Sequence, residues 1–219
     1  MHHELSALDD AGAVAAHAAE FVARYATDVV EARGTFTFAV SGGRTPWAMF
    51  DRLAHEEVPW ADVVIYQVDE RVAPEGDPDR NLAHLRASLG DAPARVVPMP
   101  VDDPDHLEAA AASYAAGLPE RFDLVHLGLG PDGHTASLVP GDPVLEVTDR
   151  LVGLTGVYQG HRRMTLTYPA LARATQLLWL VTGPDKRAPL ARLLAGDTSI
   201  PAGRVEAGHS LVLADAAAR

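Results

Sequence analysis

Short runs of β-branched and aromatic residues alternate with segments of helical period along almost the whole chain, and this alternation restricts the fold more than any other feature. Residues 35–40, 63–68, 95–99 and 122–127 read as strands, while residues 11–25, 47–53, 80–89 and 105–116 read as helices. In the first helix Val14, Ala18, Phe21 and Val22 share one face, with Asp9 or Asp10 as its cap. In the last third, residues 150–155, 163–167, 176–181 and 210–213 read as strands and residues 169–173 and 184–194 as helices. No helix separates the first two of these strands, so they read as a hairpin. Strands alternating with helices imply a mainly parallel sheet covered on both faces. No repeat, long linker or low-complexity tract divides the 219 residues. The expected architecture is one doubly wound, Rossmann-like α/β domain over residues 1–219.

Composition narrows the chemistry. The chain has no cysteine, which removes disulfides, a thiol nucleophile and thiolate metal ligands. A net charge of −12 argues against nucleic acid or an anionic membrane as partner. An anionic substrate must then be held by particular arginines against that background. The N-terminal residues lack a basic segment followed by an apolar core. The longest apolar runs, such as Leu177-Leu-Trp-Leu-Val181, are far too short to span a bilayer. The expected compartment is the cytoplasm.

The richest local signal is Gly128-Leu129-Gly130-Pro131-Asp132-Gly133-His134-Thr135-Ala136-Ser137-Leu138, directly after the strand at 122–127. Glycines such as Gly130 and Gly133 let the backbone approach a ligand and turn its N–H groups towards it. Asp132 and His134 lie where a strand empties into a loop, the place where open α/β sheets bind ligands. A carboxylate and an imidazole so placed can orient each other for proton transfer near neutral pH, although two-residue spacing alone does not prove contact. The Gly128-x-Gly130-x-x-Gly133 spacing matches a dinucleotide fingerprint. It falls after several strand–helix units and has no acidic residue at the end of the next strand, so nicotinamide binding is rejected.

Ser41-Gly42-Gly43-Arg44-Thr45-Pro46 joins a strand to a helix N-terminus, where backbone N–H groups, the helix dipole, a hydroxyl and a guanidinium all favour phosphate. It lacks the Gly-Lys-Ser/Thr ending of a nucleotide triphosphate loop. Asp69-Glu70-Arg71 reads either as a solvated turn or as charge placed at the ligand edge of the sheet. Asn81 is a sugar-hydroxyl ligand or, more simply, a helix cap. Arg162 and Arg163 open a later strand, and alternation lets only one of the two face a given site. His126, inside a strand, is assigned to packing, and the other histidines show no metal-ligand spacing, so no metal is expected. There is no Gly-x-Ser-x-Gly elbow, and Ser137 has no evident activating partner beyond His134, which disfavours a serine triad.

Taken together, Ser-Gly-Gly-Arg-Thr-Pro, Asp-Glu-Arg with the later Asn81, Gly-Leu-Gly-Pro-Asp-Gly-His-Thr-Ala-Ser-Leu-Val-Pro-Gly141 and Arg163-Met-Thr-Leu-Thr-x-Pro169 resemble the 6-phosphogluconolactonase family, in order and spacing, across nearly the whole chain. The resemblance implies hydrolysis of 6-phospho-D-glucono-1,5-lactone to 6-phosphogluconate in the oxidative pentose phosphate pathway, without cofactor or metal. His134 is then the general base, with Asp132 holding its imidazole. Substrate contacts fall on Ser41, Gly42, Gly43, Arg44, Thr45, Asp69, Arg71, Asn81, Gly130, Gly133 and Arg163. Arg162 and Lys186 are alternatives for the phosphate. Arg44 and Arg80 stand where many members have Ser, and the last strand lacks a Trp often found there. The related glucosamine-6-phosphate deaminases are the alternative within the fold. They typically read Asn-Gly-His and Asp-Glu-Tyr where this chain has Asp132-Gly133-His134 and Asp69-Glu70-Arg71. A non-catalytic sugar-phosphate sensor is the third reading, and it would need an output module for which no segment is apparent.

Overall fold

A computed structural model describes residues 2–219. In chain order the elements are β1 (Glu4–Leu8), α1 (Ala11–Arg33), β2 (Phe36–Val40), α2 (Arg44–Leu53), β3 (Val63–Gln67), β4 (Asp69–Arg71), α3 (Asn81–Leu89) and β5 (Arg95–Val97). They continue with α4 (Leu107–Ala116), β6 (Phe122–Gly128), β7 (Val152–Leu154), β8 (Arg163–Leu166), α5 (Tyr168–Leu171), β9 (Ala174–Val181), α6 (Arg187–Leu194) and β10 (His209–Asp215). Seven strands form the main sheet in the order β1-β10-β9-β6-β2-β3-β5, and each neighbouring pair is parallel.

Alternation along the strands splits the core in two. Phe36, Phe38 and Val40 of β2 join Val14, Ala18 and Val22 of α1 and Met49, Phe50 and Leu53 of α2 on one face. Ala39 faces the other way, with Val125, Leu127 and Trp179, under Leu107 and Tyr114 of α4 and Leu190 and Leu193 of α6. This is the period of two that a sheet buried on both faces demands. Each fully buried Leu or Phe contributes roughly 1.5–3 kcal/mol relative to exposure. The doubly wound reading of the sequence is therefore the observed architecture.

Three segments differ from the sequence expectation. The first helix does not stop at residue 25. Thr27 Oγ1 bonds back to Ala23 O at 3.0 Å, Ala26 and Val29 continue the buried face, and the helix ends where Gly34, at φ 80°, returns its N–H to Val30 O. Asp10, not Asp9, caps it, accepting from Ala13 N–H at 2.8 Å. β1 gave no sequence signal, because it is a half-exposed edge strand defined by pairing with β10. Finally, of the two readings of Asp69-Glu70-Arg71, the structure excludes the solvated turn and places Asp69 and Arg71 at the ligand edge. The segment is a strand of a second, three-stranded sheet, β4-β8-β7, antiparallel to β8 with Glu70 opposite Met164, and both carboxylates are buried. The expected β7–β8 hairpin closes the same sheet.

The winding reverses between β2 and β6. From β2 the chain moves outward through β3 to β5, and from β6 it moves the opposite way through β9 to β10. The carboxyl ends of β2 and β6 thus flank a crevice at a topological switch point, and both glycine-rich loops open there.

Candidate active site

The loop after β6 folds tightly on itself. Gly130 N–H donates to His134 O at 2.8 Å, and Gly133 N–H to Gly130 O at 3.0 Å. Gly133 sits at φ 83°, against Ile200, where a side chain would be both strained and crowded. A Cβ on Gly130 would overlap the His134 ring, so glycine lets the imidazole lie across the loop. His134 Nδ1 is 2.6 Å from Asp132 Oδ1, and its backbone N–H donates to the same oxygen at 3.1 Å. Burial pulls the Asp132 carboxyl up, but the backbone N–H and the imidazole of His134 outweigh it and leave Asp132 below its ordinary pKa. An ionised carboxylate only accepts, so Nδ1 carries a proton, and in the neutral imidazole the lone pair is on Nε2.

His134 borders a cleft of about 300 Å³ at the switch point. Of the thirteen residues singled out from the sequence, eleven line it, and Asp132 and Gly133 do not. Arg44, Arg71, Arg163 and Lys186 line it against a single carboxylate, Asp69. The net charge of −12 is therefore locally reversed. Arg163 is 5% exposed, and its Nε is buried without a partner among the described residues. Burial lowers its pKa and Asp69 opposes that, leaving a charged guanidinium at neutral pH. Arg162 is exposed and faces away. Arg44 is exposed at the start of α2, and Thr45 Oγ1 lies 2.7 Å from Thr182 Oγ1. The Ser41 hydroxyl is also buried and unpartnered among the described residues.

The opposite wall is built from β4 and the start of α3. Asp69 Oδ2 accepts from Ser137 Oγ at 2.6 Å. Asn81 is not a side-chain cap. Its amide donates to Asp69 O, and its Oδ1 accepts from Arg71 Nη1 at 2.5 Å. The cap of α3 is Glu70, whose two oxygens accept the backbone N–H groups of Asn81 and Leu82, each at 2.8 Å. Arg80 does not reach the cleft. It is buried between Glu70 Oε2, 3.3 Å from its Nε, and Asp102 Oδ1, 2.5 Å from its Nη1, and so braces the wall behind the site. Glu70 escaped the sequence reading because it caps a helix that begins 11 residues later, and no local pattern signals a distant cap. Tyr158 and Gln159 were missed too, since turn residues give no periodic signal. His126 is packed as expected, with one addition: Nδ1 accepts from Ser41 N–H at 3.3 Å. Burial pushes its pKa down to about 3. No cluster of metal-ligating side chains occurs among the described residues, and no described helix is long and apolar enough to cross a membrane.

A cationic crevice at a switch point, with an imidazole oriented at its rim, is the equipment of a doubly wound α/β enzyme acting on a small anion. The chain belongs to the family of glucosamine-6-phosphate isomerases/6-phosphogluconolactonase, whose model matches residues 9–214. It is 36% identical over 182 residues to the 6-phosphogluconolactonase of Synechocystis sp., covering 77% of this chain and 75% of that one. With the 6-phosphogluconolactonase of Nostoc sp. it shares 31% identity over 235 aligned positions, 100% and 98% of the two chains. The crystal structure of a 6-phosphogluconolactonase from Shewanella baltica superposes with a TM-score of 0.87 at 27% identity, covering 98% of each chain. A monomeric glucosamine-6-phosphate deaminase superposes at 0.85 with 17% identity over 98% of each chain, a likeness of fold alone.

Proposed function

We propose that this protein hydrolyses 6-phospho-D-glucono-1,5-lactone to 6-phosphogluconate, with His134 as general base. The observation that carries this reading is the 2.6 Å contact of Asp132 Oδ1 with His134 Nδ1 at the edge of a cationic cleft. That contact leaves Nε2 free to take a proton from water as the water attacks the lactone carbonyl. The resulting oxyanion is met by backbone N–H groups of Gly42 and Gly43 or by Arg71. When the intermediate collapses, the bond from the carbonyl carbon to the ring oxygen breaks. His134 then returns its proton to that oxygen, leaving a carboxylic acid that ionises. Asp132 stabilises the transient imidazolium.

Phosphate rests on Arg163 and Lys186, with Arg44, Thr45 and the α2 N-terminus beside them. Anchoring this remote group fixes the lactone against the base. Ser41, Asp69, Asn81 and Gly130 line the sugar portion of the cleft in this reading, and Gly133 shapes the catalytic loop. The reading takes residues 1–219 as one domain working in the cytoplasm, with neither a nucleic acid nor a cofactor as partner. Freshly prepared lactone tests it. Acid release well above the spontaneous rate is expected, and ammonia release from glucosamine 6-phosphate at a comparable rate would replace this reading with the deaminase.

A further inference from the structure

Tyr158, on the turn at residues 156–161, touches both ends of this site. Its hydroxyl lies 3.4 Å from Asp132 Oδ2, the oxygen that His134 does not use. Its ring meets the imidazole of His134 edge-on, with centroids 5.5 Å apart and planes at 69°. On its other side the guanidinium carbon of Arg163 is 5.2 Å from the ring centroid, and Arg163 Nη2 donates to the Tyr158 carbonyl at 3.3 Å. The turn is closed by Tyr158 N–H to His161 O at 2.9 Å. It holds Gln159 at φ 49°, a conformation unfavourable outside glycine. At the rim, His161 Nε2 pairs with Asp79 Oδ2 at 3.0 Å.

We infer that Tyr158 is a positioning residue for lactone hydrolysis, setting the basicity of the Asp132–His134 pair through its hydroxyl and holding Arg163 at the phosphate end through its ring. The inference rests on the function proposed above. A phenol that donates to Asp132 draws negative charge from the carboxylate and so weakens its hold on the imidazolium. The electron-rich ring face supports the cation of Arg163. Burial raises the Tyr158 pKa, and the charge of Asp132 and the hydrogen bond to it add to this, so the hydroxyl stays protonated and able to donate. His134 is faced directly by Asp132 and Tyr158. The cleft it borders also carries Asp69 and Arg71 from β4, Arg163 from β8, Arg44 from α2 and Lys186 ahead of α6.

Tyr158→Phe and Tyr158→Ala separate the two roles, because phenylalanine keeps the ring and loses only the hydroxyl. In Tyr158→Phe the acid limb of the kcat/KM–pH profile is expected to move up by about half a pH unit, with KM unchanged. In Tyr158→Ala KM for the phosphorylated lactone is also expected to rise, by about two- to fivefold, while KM for unphosphorylated gluconolactone stays as it is. An unmoved acid limb in Tyr158→Phe overturns the proposal, even if its activity falls uniformly. So does an unchanged KM in Tyr158→Ala. His134→Ala, run alongside, keeps the failures distinct: activity surviving there removes the general-base reading itself, whatever Tyr158 does.

Discussion

Ser137 Oγ donates to Asp69 Oδ2 at 2.6 Å, a fully buried bond between residues 68 apart in the chain. It ties the loop that carries His134 to β4, which carries Asp69 and Arg71. Ser137 is thus a brace between the two walls of the cleft, with its proton committed to a carboxylate. That geometry assigns Ser137 to holding the two walls together.

Ser137→Ala should therefore leave catalysis in place while weakening the fold. Loss of a buried hydrogen bond to a carboxylate costs about 1–3 kcal/mol, to be read from urea unfolding. KM should rise as Asp69 loses its anchor, and kcat should fall by less than tenfold. A loss of activity as complete as that of His134→Ala would give Ser137 a chemical role.

His134→Ala should remove most turnover with the fold intact, because the side chain is partly exposed and bonded only to its own loop. A positioned general base contributes on the order of a hundredfold or more, so kcat is the parameter to follow. Activity within a few-fold of the unaltered protein would exclude His134 as the base.

For the phosphate, the two arginines should separate. Arg163 is buried with an unpartnered Nε, whereas Arg44 is exposed. A charge-assisted contact contributes roughly 1.5–3 kcal/mol, so Arg163→Ala should raise KM for the phosphorylated lactone by about one to two orders of magnitude. Arg44→Ala should do the same less strongly. Neither should change KM for unphosphorylated gluconolactone. If both leave KM untouched, the phosphate lies elsewhere.

His126 makes a prediction about acid. Its imidazole takes a proton near pH 6.5 in the unfolded chain but only near 3 when buried. Between those values the unfolded state binds more protons, so the stability present above about pH 6.5 is lost as pH falls towards 3. The slope approaches 1.4 kcal/mol per pH unit. Urea curves at pH 7.5 and about 4.5 should show the unaltered protein losing ~2–3 kcal/mol more than His126→Leu. Equal losses in both proteins would exclude this histidine.

What the sequence made legible follows from how local each signal is. The loop after β6, the loop after β2 and most strands of the main sheet announce themselves within a few residues, by glycine content or by runs of β-branched side chains. Eleven of the thirteen chosen site residues do meet at one cleft. What stayed hidden depends on distant partners. β1 exists by pairing with β10, and β4 by pairing with β8. Glu70 looked like part of a charged turn because its ligands, the N–H groups of α3 and the guanidinium of Arg80, come from later in the chain. Tyr158 offered neither charge nor period, and only the folded turn brings it onto Asp132.

β2 lies between β3, the next strand along the chain, and β6, which arrives much later; Ser41 and His126, in contact at the top of this pair, are 85 residues apart. Until that long loop has closed, the loop after β2 has no His134 to face across the cleft. Contacts of such wide sequence separation form slowly compared with helices. On refolding, helical signal should return ahead of turnover, and the recovery of lactone hydrolysis should report the moment at which the two halves of the sheet join.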